Sequence, residues 1–230
     1  MDSQTLKSQD LKTISIVGNG PISEKDAPNI DKSDIVLRFN SAPACGAAGQ
    51  RVDILLINRA RVYMSKRVNP VALHRAAEVW VNDSKKNGQV DWLFERECKP
   101  IYLGPGPMKK ARKHLENYDP FLKSNPTTGA SIIAELIETR PELKIHLFGF
   151  THQGKQQTHD WDAEKRWTND LIAQGKIVAH RTPGNMAQRN LEEKVNFCFR
   201  VIEKQTKHYF YNRLLHSAKE TKARIFGEHI

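Results

Sequence analysis

The chain has 230 residues, with 36 Lys and Arg against 26 Asp and Glu, a formal net charge of +10 at pH 7, and 39% hydrophobic residues. That apolar content can bury a core, which excludes wholesale disorder, and no run approaches the ~18 apolar residues of a membrane span. The polar start MDSQTLKSQD does not read as a secretory leader, and Cys45, Cys98 and Cys198 form no C-x-x-C pair, so a disulfide scaffold or cysteine-rich zinc site is not expected and a reducing, cytoplasmic setting fits.

Residues 1–12 read as a flexible leading segment. Short, β-branched-rich apolar runs follow at Thr13–Val17, Asp34–Phe39, Val52–Ile57, Glu78–Asn82, Pro100–Gly104, Lys144–Phe150 and Ile177–Arg181, several of them apolar on both faces as buried parallel strands are. Helices are predicted over Pro70–Ala77, Met108–Tyr118, Thr128–Arg140, which stops at Pro141, and Glu164–Gln174, which ends at a Gly175 cap. The alternation predicts one three-layer α/β domain over 13–203 with a mostly parallel sheet, followed by a separate basic amphipathic helix over 204–230. In such a sheet a ligand lies beyond the carboxyl ends of the strands.

The first strand runs into Gly18-Asn19-Gly20-Pro21, whose glycines allow close backbone approach to a ligand and whose Asn19 amide both donates and accepts. Ser23 stands where the dinucleotide fingerprint needs its third glycine, and the second strand ends Arg38-Phe39-Asn40 with no acidic ribose partner, so NAD binding is disfavoured. Arg38 reads as a member of an internal ion pair. At Asn125-Pro126-Thr127-Thr128-Gly129 a capped helix begins, and its unpaired N–H groups suit a phosphate or carboxylate. The string His159-Asp160-Trp161-Asp162-Ala163-Glu164 supports three readings. Asp160 and Asp162 form a DxD pair for Mn²⁺ or Mg²⁺; His159 is a general base with Glu164 in the first helical turn; or the turn is simply acidic because the helix dipole favours it.

Together these places resemble the sialyltransferases of glycosyltransferase family 29. The large motif of that family corresponds to Val17-Gly18-Asn19-Gly20 followed by Ile30-Asp31, Asp34, Val36, Arg38, Asn40, Ala42-Pro43 and Gly46. The small motif corresponds to Pro126-Thr127-Thr128-Gly129 with Phe148-Gly149-Phe150, and the very small motif to His159 and Glu164. The shorter bacterial sialyltransferases of family 42 share the G-N-G-P turn more loosely. The resemblance implies a Rossmann-like, GT-A-variant fold and a CMP-sugar donor. It assigns donor binding to Gly18, Asn19, Gly20, Asn40, Thr127, Thr128 and Gly129, and an inverting, metal-independent transfer to His159 as base with Glu164 beside it. His152 stands as a candidate for the family's third motif. Neither a cofactor nor a bound metal is implied, because a CMP donor carries one phosphate and lacks the diphosphate that a DxD metal neutralises. The cysteines that bridge the large and small motifs in eukaryotic members are replaced by Ile14 and Glu142, which fits a bacterial enzyme of the cytoplasm.

The charge is concentrated outside these motifs. Between Lys204 and Phe226 six Lys or Arg stand against Glu220 alone, which is +5 of the total, with apolar residues at helical spacing. This segment reads as a terminal helix with a solvated basic face, or as a peripheral contact with the inner face of a membrane. A second cluster, Lys109, Lys110, Arg112 and Lys113, could draw an anionic donor or acceptor. No nucleic-acid module is recognisable and no nucleic-acid partner is expected. The expected partners are a CMP-sugar donor and a glycan or glycolipid acceptor. Two rival functions remain: transfer of Kdo from CMP-Kdo on the same fold, and a non-catalytic basic nucleotide- or RNA-binding module.

Overall fold

The computed structural model describes residues 3–6, 10–58, 68–82, 100–152 and 159–180. The expected helix over 204–230, and the part of the domain beyond residue 180, lie outside these described residues.

Seven strands form one sheet: β1 (Thr13–Val17), β2 (Ile35–Phe39), β3 (Ile54–Asn58), β4 (Glu78–Asn82), β5 (Ile101–Tyr102), β6 (Lys144–Phe148) and β7 (Ile177–His180). Their order is β5-β4-β3-β2-β1-β6-β7, and every pairing is parallel. The helices are α1 (Ala27–Asp31, after a 3-10 turn at Glu24–Asp26), α2 (Pro70–Arg75), α3 (Gly106–Leu115), α4 (Thr128–Thr139) and α5 (Trp161–Ala173).

Because side chains alternate across a strand, the two faces of the sheet carry different residues. Ile14, Ile16, Leu37, Leu56 and Leu147 join Ala111, Ile133, Leu136 and Trp167 in the larger core, which places α3, α4 and α5 on one face. Val17, Val36 and Phe148 pack with Ile30, and Leu55 and Val79 pack with Ala72 and Leu73, which places α1 and α2 on the other. The result is the expected three-layer, Rossmann-like α/β domain with a parallel sheet buried on both faces.

The chain steps from β1 outward to β5, then returns across the sheet to place β6 on the free side of β1, with Val17 opposite Phe148. The strand order reverses there, so the carboxyl ends of β1 and β6 mark the crevice where an open α/β sheet receives its ligand.

Local chemistry accounts for the ends of the elements. The helix α5 begins three residues before its expected start because the Asp160 side chain accepts from Ala163 N–H at 2.8 Å, capping it. It ends as expected at Gly175 (φ +71), where Gly175 N–H bonds Ile172 O and Lys176 N–H bonds Leu171 O. In the leading segment, Ser3 Oγ and Thr5 N–H donate to Glu78 at 2.7 and 2.8 Å, and Leu6 enters the core.

Arg38 corrects the ion-pair expectation. Its side chain is fully buried, and its Nε and Nη2 donate to the carbonyls of Arg51, Ala48 and Gly49 at 2.9–3.1 Å. Among the described residues the guanidinium is bonded by uncharged carbonyls and not by a carboxylate; burial lowers its proton affinity, and the charge of nearby Asp31 partly opposes this. Its third nitrogen, Nη1, has no hydrogen-bond partner among the described residues.

Candidate functional site

The expected site residues converge on the carboxyl edge of the sheet, and the structure divides them into those that build the site and those left facing outward. Gly18 and Gly20 belong to the first group. Gly18 N–H bonds Phe148 O at 2.7 Å and Gly20 N–H bonds Gly149 O at 3.0 Å, and an added Cβ would lie 2.7 Å from Gly149 O at position 18 and 2.4 Å from it at position 20. The close approach that these glycines permit is between two loops of the chain. Gly129 likewise makes room for the Phe150 ring, 2.8 Å from where its Cβ would stand. The β1 turn, the β6 turn and the start of α4 thus form one continuous seat.

Thr127 is also committed internally. Its backbone N–H and its hydroxyl donate to the two carboxylate oxygens of Glu164 at 2.7 and 2.8 Å, while its Oγ accepts Ala130 N–H at 3.0 Å as the cap of α4. Glu164 is only 3% exposed. Burial raises its pKa, against the opposing pull of Thr127 and of nearby His159. Its carboxylate touches the loop that leads into α4, which makes it a residue that positions that loop.

What remains open is a compact polar group. Asn19 is exposed and its side chain has no partner among the described residues. The amides of Thr128 and Gly129, at the start of a twelve-residue helix, have no acceptor among the described residues. Asn40 adopts φ +46 at the end of β2, and its Oδ1 accepts Asn58 N–H at 2.8 Å, leaving the amide nitrogen to face other groups.

Two further asparagines join the group and were not singled out by the sequence. Asn58 and Asn82 stand side by side at the ends of β3 and β4, and both reach the Thr128 hydroxyl, at 2.9 and 3.5 Å. The signal for them is that the apolar runs of β2, β3 and β4 each finish on an asparagine at the same edge.

His159 lies just before α5. Its Nδ1 stands 2.7 Å from the carbonyl oxygen of Asn125, and its ring meets Trp161 edge to face at 5.3 Å. A carbonyl can only accept, so Nδ1 carries the proton and, in the neutral ring, Nε2 holds the lone pair. That is the tautomer a general base needs. His152, with φ +47, lies beyond β6 with its ring 6.3 Å from that of Phe150, in the same loop that seats Gly18.

The Asp160 half of the DxD pair caps α5, and Asp162 is exposed in its first turn, as the dipole reading anticipates. Among the described residues no group of three or more His, Cys, Asp or Glu could hold a metal ion. In the basic cluster, Lys110 pairs with Glu135 at 2.9 Å and Arg112 donates to a neighbouring loop, so only Lys109 and Lys113 are exposed. No helix among the described residues is long and apolar enough to cross a membrane.

No protein-family model matches the chain. Among curated proteins it is similar to the urease operon 23 kDa accessory protein of Rhizobium meliloti (strain 1021), with 27% identity over 201 residues, covering 74% of this chain and 93% of that protein. Among solved structures it is similar to a mammalian sialyltransferase, with 19% identity and a TM-score of 0.51, covering 74% of this chain and 69% of that one. It is also similar to the sialyltransferase CstII from Campylobacter jejuni in complex with a substrate analogue, cytidine-5'-monophosphate, with 11% identity, a TM-score of 0.45, and coverage of 76% and 83%. The likeness to the mammalian enzyme shows that this chain has a glycosyltransferase-like, Rossmann-type fold.

Proposed function

We propose that the chain is an inverting, metal-independent glycosyltransferase that moves a sialic acid from its CMP-linked donor to a hydroxyl of a glycan or glycolipid. The observation that carries this reading is the His159 ring, held by Asn125 O and with no partner on Nε2 among the described residues, together with the amides of Thr128 and Gly129, which have no acceptor among the same residues, on a sialyltransferase-like fold. In the reaction Nε2 takes the proton of the acceptor hydroxyl as its oxygen attacks the anomeric carbon. The bond from that carbon to the CMP phosphate oxygen breaks, and CMP leaves with the electron pair. Thr128, Gly129, Asn19 and Asn40 hold the phosphate, the sugar carboxylate and the nucleotide with neutral donors, which suit a single phosphate. Peripheral membrane contact through 204–226 and a cytoplasmic location belong to the same proposal.

The test is incubation with a panel of CMP-sugars, CMP-Kdo included, scoring CMP release with and without glycan acceptors. His159→Ala should lose turnover by about 10²–10⁴-fold while keeping CMP binding. Undiminished turnover would sink the base assignment, strong inhibition by EDTA would restore the metal reading of Asp160 and Asp162, and RNA binding without CMP binding would favour the non-catalytic module.

The accessory-protein name of the Rhizobium relative supports a second reading, service to urease. Deleting the gene in a urease-producing host and restoring it as wild type or His159→Ala separates the two. If deletion lowers urease activity and His159→Ala restores it fully, the accessory role stands without this chemistry.

A further inference from the structure

We infer that Arg112 is a positioning residue for His159. It comes from a basic cluster read as a lure for anionic ligands, yet its guanidinium turns inward on one loop. Nη1 donates to Leu122 O at 3.1 Å, and Nη2 donates to Ser124 O at 3.2 Å and to Asn125 Oδ1 at 3.0 Å. The carbonyl of this same Asn125 accepts from His159 Nδ1. Two residues on, Thr127 is gripped by Glu164. The loop is therefore clamped from α3 by Arg112 and from α5 by Glu164, and between the clamps it presents the one carbonyl that fixes the His159 tautomer.

A planar fork with several donors suits this task, because it sets the orientation of the loop as well as its distance. A lysine would keep the charge and lose the fork. Arg112 touches no reacting atom, and it acts by holding Asn125 O where Nδ1–H must point, which keeps the lone pair on Nε2. This rests on reading His159 as the base. The orientation of the ring is nevertheless observable without any substrate.

The test is ¹⁵N NMR of the His159 ring, assigned by comparison with His159→Gln, together with CMP-sugar turnover. Wild type should show the Nδ1–H tautomer. Arg112→Met should shift the population toward Nε2–H and lower kcat about tenfold, with KM changed less than about twofold, as expected when a base is misplaced. Arg112→Lys should fall between the two. Leu136→Ala, a core change away from the loop, should lower stability and leave the tautomer alone. An equal tautomer shift in Leu136→Ala would overturn the inference, and so would a folded Arg112→Met with wild-type tautomer and kcat. If Arg112→Met does not fold, Asn125→Ala removes one of the three acceptors and keeps the backbone carbonyl. It should shift the tautomer less and in the same direction, and no shift overturns the inference. If wild type releases CMP from no CMP-sugar, the transferase reading falls, and the NMR comparison alone decides the role of Arg112.

Discussion

The Glu164 carboxylate receives the backbone N–H of Thr127 on one oxygen and its hydroxyl on the other, at 2.7 and 2.8 Å, joining the start of α5 to the start of α4. Removing the acceptors should be costly, because two part-buried donors then lose their partner. Glu164→Ala should lose about 2–3 kcal/mol of stability in urea unfolding.

Glu164→Gln should behave quite differently. Burial raises the folded pKa of Glu164 above its ordinary value, so its stabilising contribution is complete below that ordinary value and is lost as pH rises through the folded one. A glutamine can accept the Thr127 N–H and donate to its hydroxyl without carrying charge. The variant should therefore match wild type near pH 4 and gain on it toward pH 8, read as urea midpoints across the range. A constant gap would contradict the raised pKa.

The His146–His180 pair carries the opposite sign. Nδ1 of His146 lies 3.0 Å from Nε2 of His180, which stacks on Phe148 at 4.2 Å. Burial lowers both pKa values, so the neutral pair is stabilising above the ordinary histidine range, and that contribution is lost as pH falls through the folded values. Thermal unfolding should show wild type weakening between about pH 7 and pH 5. His146→Gln should flatten that decline.

The β1 turn should not accept alanine. At Gly20 the new methyl would meet Gly149 O at 2.4 Å, backbone that cannot step aside, so Gly20→Ala should cost about 1–3 kcal/mol. Thermal melts of Gly20→Ala against wild type read that loss, and an unchanged melting temperature would contradict the close contact.

The Asn58–Thr128 hydrogen bond predicts coupled ligand binding. Calorimetry with CMP should show Thr128→Val and Asn58→Ala each weakening affinity several-fold, with the double variant no weaker than Thr128→Val. Additive losses would mean that the two side chains meet the ligand separately.

The elements and the edge of the sheet were legible because their signals are local. The apolar run Glu78–Asn82 is a strand over the same residues, and Thr127 caps the helix that follows it. The helix α1 was missed because it has five residues, with Pro28 as the second, too short for a period to register. What escaped were partnerships across the chain. Gly18 and Gly20 looked like ligand-facing glycines because Gly149, which they accommodate, lies about 130 residues away in sequence. Arg38 and Arg112 bond backbone carbonyls, which every residue owns, so no side-chain pattern marks them. Asn58 and Asn82 carry meaning only once β3 and β4 are in register.

The return of the chain to β1 sets an order of events at the ribosome. Until residues 144–148 have been made, β1 has a neighbour on one side alone, and the turn at Gly18–Gly20 has nothing to close against. A nascent chain halted before that point carries the whole Gly18–Gly20 turn and no surface for it to close on. Parallel pairing across so long a separation is slow, which leaves an exposed strand edge while synthesis continues. Truncations ending before β6 should therefore aggregate, and the Gly18–Gly20 turn should become ordered only when the sixth strand docks.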